Sequence, residues 1–364
     1  MNDQNAAGDN LYTLIINPGS TSTKISVYQG ESELFRETMS HMQEKEMLDK
    51  RIQEQKQDRK DAVLQSLKSH QINLSDIGLI TARGGLMRPL ESGTYEVNDK
   101  MISDLSTNKY GEHASNLGAV IGMELSRQTN EAPVYITDPV VVDELGDLAR
   151  FTGIKSMERK SIFHALNQKA AAKKAAAALH KQYEELQLIV IHLGGGISVG
   201  AHAFGKVIDV NNGLDGEGPF SPERAGTLPV GDVIKEAYSG MYTESQLKKR
   251  YVGNGGLKSY FETSDTAALE QRKDAGETEI DTVLRAMVYQ TAKEAGAMAS
   301  VLKGQVDALI VTGGMANSSW ICRELENYIS WIAPVLQYPG EDEIAALFTG
   351  AYNIWKTGTK AKKY

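Results

Sequence analysis

Cysteine occurs once in these 364 residues, at Cys322, and tryptophan only three times. A single thiol excludes an internal disulfide framework and suits a reducing compartment. No histidine or acid is arranged in the sequence to activate it, so Cys322 reads as a small helix residue. No apolar run approaches the ~20 residues that span a bilayer, so no membrane partner is expected. The first ten residues are polar and hold no apolar signal core, which makes the cytoplasm the expected location. Basic residues are also scarce: 39 Lys and Arg stand against 47 Asp and Glu, a net charge of −8. Scattered lysines in an acidic chain argue against nucleic acid, whose binders need a concentrated basic footprint. An anionic substrate must instead be held by a few placed cations or by backbone N–H groups. The phosphate-binding pattern GxxxxGK[ST] is missing as well.

What is present is an ordinary soluble balance, 41% hydrophobic and 24% charged, in a chain long enough for two domains. Residues 11–28, LYTLIINPGSTSTKISVY, read as strand, Gly/Ser turn, strand. Residues 188–206, LIVIHLGGGISVGAHAFGK, repeat that punctuation. With Gly19 laid on Gly194, an offset of 175 residues, Ile15 and Ile16 fall on Val190 and Ile191, and Gly30 falls on Gly205 without a gap. Such spacing suggests a duplicated domain. A third strand–turn unit, ALIVTGGM, occupies residues 308–315. Charged residues 42–70 carry Met47, Ile52, Val63, Leu64 and Leu67 at helical spacing, 166–182 are alanine-rich, and 281–303 keep a helical period. Strands alternating with helices give an α/β class. The expected domains are 11–150, with a C-terminal return over 342–364, and 151–341.

The turn over 17–24 offers Asn17, Gly19, Ser20, Thr21, Ser22 and Lys24, and glycine there lets several backbone N–H groups approach a phosphate. Gly194, Gly195 and Gly196, followed by Ser198, can do the same in the second repeat. A decorated β-hairpin is the bland alternative for either turn alone; two at matched positions make the stronger signal.

The stretch IINPGSTSTK at 15–24 resembles the first signature of the acetate and butyrate kinase family, and HLGGGISV at 192–199 resembles the second. TARGG at 81–85, GLDGEGPFSPERAG at 213–226 and PGEDE at 339–343 match further segments, the butyrate kinase branch in particular. The resemblance runs nearly end to end. It implies two related actin-like, ribonuclease H-like domains with a nucleotide cleft between them, ATP and Mg²⁺ as cofactors, and a homo-oligomer formed through the second domain.

Residue by residue, the resemblance places Asn17 on the loop asparagine near Mg²⁺ and the phosphates. Arg224 falls on an arginine that neutralises the carboxylate and the phosphoryl group, Asp138 on an acid near the acyl end, and His164 on a histidine that hydrogen-bonds the phosphoryl in flight. His113 and Phe163 fall near the substrate; His192, Gly313 and Gly314 join the nucleotide set. Some positions depart from the acetate kinase pattern. Ile80 stands where a substrate arginine is expected and Arg83 replaces a histidine, so Arg83 is the candidate replacement cation, with Arg88 second. Gly195 stands in place of an asparagine, and Ala82 in place of a valine of the acyl pocket. The C-terminal metal-site acid is Asp342 or Glu343. The implied reaction is ATP-dependent phosphorylation of a short-chain fatty acid, butyrate first, with acetate, propionate or branched-chain acids as alternatives. The rivals from other classes are a non-enzymatic actin-like nucleotide binder, such as a sugar-sensing repressor with a DNA-binding helix-turn-helix, and a polyphosphate-type phosphatase, which usually carries an acid where Asn17 stands.

Overall fold

Leu14, Ile15 and Ile16 follow one another with no polar alternation, as in a strand covered on both faces, and all three are 0% exposed. The computed structural model describes residues 11–19, 22–41 and 50–364, so Ser20, Thr21 and Met47 lie outside the described residues. The run belongs to β1 (Tyr12–Pro18), which pairs antiparallel with β2 (Ser22–Gln29). β3 (Ser32–Ser40) continues the hairpin as a largely exposed edge strand. On its other side β1 pairs parallel with β4 (Ile77–Ala82). With β5 (Thr94–Glu96), β6 (Val134–Thr137) and the C-terminal strand Lys362–Lys363, the described sheet has the order C-terminal strand, β5, β6, β4, β1, β2, β3.

Helices α1 (Lys56–Ser69), α2 (Asp99–Ser106) and α3 (Asn116–Ser126) belong to this unit, together with the C-terminal helix Glu343–Thr357. The sheet's two faces are distinguished by neighbouring residues of β4. A Cβ on Gly122 of α3 would lie 3.3 Å from Ile80 and 3.9 Å from the Ala82 methyl. Thr81, between them, donates its hydroxyl to Leu347 of the C-terminal helix at 3.3 Å. Successive strand residues point to opposite faces, so α3 covers one and the C-terminal helix the other.

The second unit repeats the plan. β7 (Gln187–Leu193) and β8 (Ile197–Ala203) form the hairpin, β9 (Lys206–Val210) extends it, and β10 (Ala308–Gly313) and β11 (Val335–Pro339) pair in parallel beyond β7. Its order, β11-β10-β7-β8-β9, matches β6-β4-β1-β2-β3. The helices are α4 (Ala165–Ala178), four short ones, α5 (Val230–Ala237), α6 (Glu244–Tyr251), α7 (Leu257–Phe261) and α8 (Thr266–Asp274), then α9 (Thr278–Val301) and α10 (Ser319–Ile329). Leu188 and Val190 pack with Ala171, Ala172, Ala175 and Ala176 of α4, while Ile189, Ile191 and Leu193 pack with α9. Alanines at that spacing form a smooth stripe, which lets α4 lie close on the sheet. No helix among the described residues is long and apolar enough to cross a membrane.

Two expectations are corrected in detail. The repeat is not gapless. Pro18 pairs with Thr23, leaving four residues in the first turn, whereas Leu193 pairs with Ile197, leaving three. Gly30 therefore corresponds to Phe204 rather than Gly205, and both open their hairpin turns at positive φ, 55° and 51°. The compact units are Met1–Val142 with Asp342–Tyr364, and Asp143–Glu341, so the first break precedes residue 150. Chemistry explains the shift: Glu144 accepts from Lys169 at 2.8 Å and from the Val207 N–H at 2.9 Å, and the Gly146 N–H bonds Ile208 at 2.8 Å.

Gly118 on α3 lies against the chain where β1 and β4 end. A Cβ there would sit 2.5 Å from the Arg83 carbonyl oxygen and 3.3 Å from Pro18 Cδ. Alanine raises intrinsic helix propensity by about 1 kcal/mol over glycine, but a backbone oxygen cannot yield as a side chain can. Gly118→Ala is expected to lower the urea midpoint despite that gain. A higher midpoint would show that α3 does not rest on the Arg83 backbone.

Candidate functional site

In the first unit the carboxyl ends of β1, β4 and β6 lie at one edge, where open α/β sheets present their ligand-binding loops. Asn17, the penultimate residue of β1, is 2% exposed. Its Nδ2 donates to Glu343 Oε2 at 2.7 Å, and its Oδ1 accepts from Arg83 Nη1 at 3.3 Å. The same Nη1 donates to Glu343 Oε2 at 3.1 Å, an ion pair at the edge of the buried region. Because its two neighbours are a carboxylate and a guanidinium, the Asn17 amide has only one orientation that satisfies both. Glu343 is buried in the first turn of the C-terminal helix, where the helix dipole favours an anion, whereas Asp342 is exposed. Of the two acids, Glu343 joins Asn17.

Arg83 reaches this cluster because its backbone N–H continues the parallel ladder onto the Ile16 carbonyl at 3.0 Å. Ile80 is fully buried in β4, and the Arg88 guanidinium lies 4.8 Å from the Tyr364 ring centre. Gly19 closes its turn onto the Ser22 carbonyl at 2.8 Å. That carbonyl also accepts from Arg59 at 3.1 Å, and Arg59 bonds the Thr23 hydroxyl at 3.0 Å. Arg59 is 0% exposed; nothing in its charged sequence surroundings singles it out. Lys24 is the cross-strand partner of Asn17 and is half-buried.

Three further expected site residues have local contacts of their own. Asp138, at φ 39°, accepts through Oδ1 from the Ser92 hydroxyl at 2.6 Å and the Gly93 N–H at 2.7 Å. It fastens the turn before β5, and no hydrogen bond or ion pair described here ties it to Asn17, Arg83 or Glu343. His113 Nδ1 is engaged locally by the Ser115 hydroxyl at 2.7 Å and its N–H at 3.2 Å, at the start of α3. Ala82 is 0% exposed in the core under α3, so it acts on an acyl pocket only through helix packing.

In the second unit His164 precedes α4, with Phe163 buried beside it. The His164 ring stacks on that of His192, centroids 3.8 Å apart and 11° from parallel. Its Nδ1 lies 2.8 Å from the Ser198 hydroxyl. His192, fully buried, has Nδ1 at 2.7 Å from Asn167 Oδ1 and Nε2 at 3.5 Å from the Glu341 carboxylate. The Gly194 N–H closes the turn onto the Gly196 carbonyl at 3.1 Å, and the Gly195 carbonyl accepts from the Ser221 hydroxyl at 2.7 Å. Arg224 lies across Gly196, where any Cβ would collide with its guanidinium, and donates to the Gly213 carbonyl. A Cβ on Gly213 would be 3.5 Å from Ser198 and 3.8 Å from His164 Cε1. His164, Ser198, Gly196, Gly213 and Arg224 thus form one cluster. Gly313, at φ 93°, exchanges two 3.0 Å backbone bonds with Gly340 and leaves no room for a side chain beside Leu193; Gly314 begins the following 3₁₀ turn.

Sequence reading missed Gly118, Arg59 and Gln168, and gave Gly213 no role beyond opening a matched segment. Paired glycine turns were visible, but the partners of these four are distant in the chain. Among the described residues, no group of three or more His, Cys, Asp or Glu is gathered to hold a metal. The Glu343 carboxylate and the Asn17 oxygen, which both accept from Arg83, are nevertheless oxygen ligands of the kind taken by a hard cation that keeps waters and phosphate oxygens.

Comparison with known proteins gives a consistent result. The acetokinase family model matches residues 152–330. Two proteins described as "Probable butyrate kinase", from Clostridium botulinum strains Alaska E43 and Eklund 17B, are each 50% identical over 351 residues, 96% of this chain and 99% of theirs. An acetate kinase structure from Porphyromonas gingivalis aligns with TM-score 0.77 at 16% identity, covering 95% of this chain and all of that one. A propionate kinase from Francisella tularensis aligns with TM-score 0.72 at 17% identity, covering 94% and 99%. The fold is that of these kinases.

Removing one partner of a buried ion pair costs more than the pair contributes, because the other charge stays desolvated. Glu343→Ala is expected to lower the unfolding free energy by about 3 kcal/mol, measured by urea titration. A loss below about 1 kcal/mol would class the contact with screened surface pairs.

Proposed function

Since the chain belongs to the acetate and butyrate kinase family, we propose that it transfers the γ-phosphoryl group of ATP to the carboxylate of a short-chain fatty acid, butyrate above all. The observation that carries this reading is the 50% identity to butyrate kinases across nearly the whole chain. Geometry adds the roles. A carboxylate is already a nucleophile, so no general base is required. One of its oxygens bonds to the γ-phosphorus as the bond to the β–γ bridging oxygen breaks, and ADP leaves with that electron pair. No proton needs to move.

The barrier is the approach of two anions and the charge that develops on the phosphoryl oxygens, which positioning and preorganised donors address. In the second unit the 194–196 turn supplies backbone N–H groups, Arg224 a cation and His164 a hydrogen bond. In the first unit Arg83 supplies a second cation, held where Asn17 and Glu343 accept from it. Asn17 and Glu343 are also the residues that would hold Mg²⁺. When bound, that ion neutralises phosphate charge during transfer. Asp138 has a supporting role, fixing the turn that precedes β5.

The proposal includes a cytoplasmic enzyme that works as a homo-oligomer. Val230, Ile234, Tyr238 and Met241, on and just after α5, are more than half exposed and offer apolar surface to a second copy. Preference for butyrate rests on the relatives and not on Ala82, which is enclosed in the core.

Each methylene accommodated in a fitting pocket contributes about 1–3 kcal/mol of discrimination. With ATP, Mg²⁺ and hydroxylamine as trap, acyl phosphate formation is expected to be most efficient with butyrate among acetate, propionate, butyrate, isobutyrate and valerate. Highest kcat/KM on acetate would contradict the butyrate assignment, and ATP hydrolysis independent of any carboxylate would contradict the kinase reading.

A further inference from the structure

Behind His164 runs a continuous chain of buried hydrogen bonds. Tyr183 Oη lies 2.7 Å from His202 Nδ1, and His202 Nε2 lies 2.9 Å from Gln168 Oε1. Gln168 Nε2 lies 2.8 Å from Ser198 Oγ and 3.1 Å from the Ser198 carbonyl oxygen. Ser198 Oγ in turn meets His164 Nδ1 at 2.8 Å. Gln168, Ser198 and His202 are 0% exposed and Tyr183 is 5% exposed. The space is reserved for this chain: a Cβ on Gly200 would come within 2.5 Å of Gln168 Oε1 and 3.3 Å of His202 Nε2.

One arrangement of protons gives every donor of the chain an acceptor. The Ser198 carbonyl can only accept, so Gln168 must present its NH₂ group there and its oxygen to His202. His202 Nε2 then carries the proton. Burial, reinforced by the nearby Lys169 charge, holds the His202 pKa well below its ordinary value near 6.5, so the ring is neutral and its Nδ1 accepts from the Tyr183 hydroxyl. Gln168 presents its NH₂ group and no acceptor to Ser198 Oγ, so the hydroxyl proton goes to His164 Nδ1. A neutral His164 then has Nδ1 as acceptor and its proton on Nε2.

We propose that Gln168 is a positioning residue for phosphoryl transfer: acting through Ser198, it holds His164 in the Nε2–H tautomer, so that the ring presents a donor to the transferring phosphoryl group. The consequence for catalysis rests on the kinase reading given above, whereas the tautomer does not. In the opposite tautomer Nε2 would turn a lone pair toward an anionic oxygen. Stacking on His192 restricts the ring, and rotating it away would forfeit the Ser198 bond. The choice of proton position therefore falls to the chain behind it.

The test is long-range ¹H–¹⁵N correlation on histidine-labelled protein near neutral pH, with His164 assigned by the signals lost in His164→Asn. Wild-type His164 is expected as the Nε2–H form. Gln168→Glu keeps the side-chain shape but turns an acceptor oxygen to Ser198 Oγ, so that the hydroxyl can donate to it and accept from Nδ1–H. In that variant the His164 signals should move toward a mixture of tautomers and kcat should fall about tenfold, part of the 10²–10³ that a fixed transition-state donor is worth. KM for ATP and for butyrate should hardly change, since the donor acts on the developing charge. An Nδ1–H form in the wild type, or a variant with wild-type kcat, overturns the proposal. If Gln168→Glu does not fold, the wild-type spectrum decides alone, and Ser198→Ala, which deletes one hydroxyl, repeats the kinetic comparison. A wild-type protein with the Nε2–H form that makes no acyl phosphate from any carboxylate would overturn the kinase reading instead.

Discussion

Both halves of the chemistry depend on one constraint of β-sheet geometry, a hairpin whose first strand also pairs in parallel with the following strand of the sheet. β1 is held between β2 and β4, and β7 between β8 and β10. A strand pinned on both sides cannot shift register without turning its buried face outward. Its turn is therefore fixed at the carboxyl edge, beside whatever follows the parallel neighbour. In the first unit that neighbour delivers Arg83 to Asn17. In the second, the turn itself approaches α4, and Ser198 reaches both His164 and Gln168. Small residues are required where elements close in: Gly118 under the Arg83 backbone, Gly313 against Leu193, and Gly196 beneath Arg224.

Electrostatics sets the second condition. A chain of net charge −8 repels anions at long range, although salt screens exposed charges beyond about 8 Å at physiological ionic strength. Capture of a nucleotide and a fatty acid must come from donors placed locally. Arg83 and Arg224 are each held against an acceptor, Glu343 in one case and the Gly213 carbonyl in the other. Held this way, each side chain has less conformational entropy to lose on meeting an anion. Arg59, buried against the Ser22 carbonyl, plays the comparable part for the first turn.

Much of this was legible in the order of residues, and the failures have physical causes. Uninterrupted apolar runs and paired glycines mark β1, β7 and β10, and alanine content marks α4. The missing residue in the second turn was not visible, because strands share an apolar vocabulary and an ungapped overlay still places apolar on apolar. Choosing between Asp342 and Glu343 depends on which faces the sheet at the start of a helix, a matter of burial that neighbouring acids do not reveal. The partners of Asp138, Ser92 and Gly93, lie some 45 residues earlier, so its hydrogen bonds were not legible either. Gln168 and His202 look like isolated polar residues because their partners lie 30 and 34 positions away.

The central claim is that each glycine-bearing turn is a nucleotide-phosphate site, and hydrogen exchange tests it most directly. Amide exchange across 17–24 and 192–198 would be followed by mass spectrometry with and without ADP and Mg²⁺. Slower exchange in both segments is the predicted result. Saturating nucleotide that leaves both segments exchanging at their original rates would contradict the account.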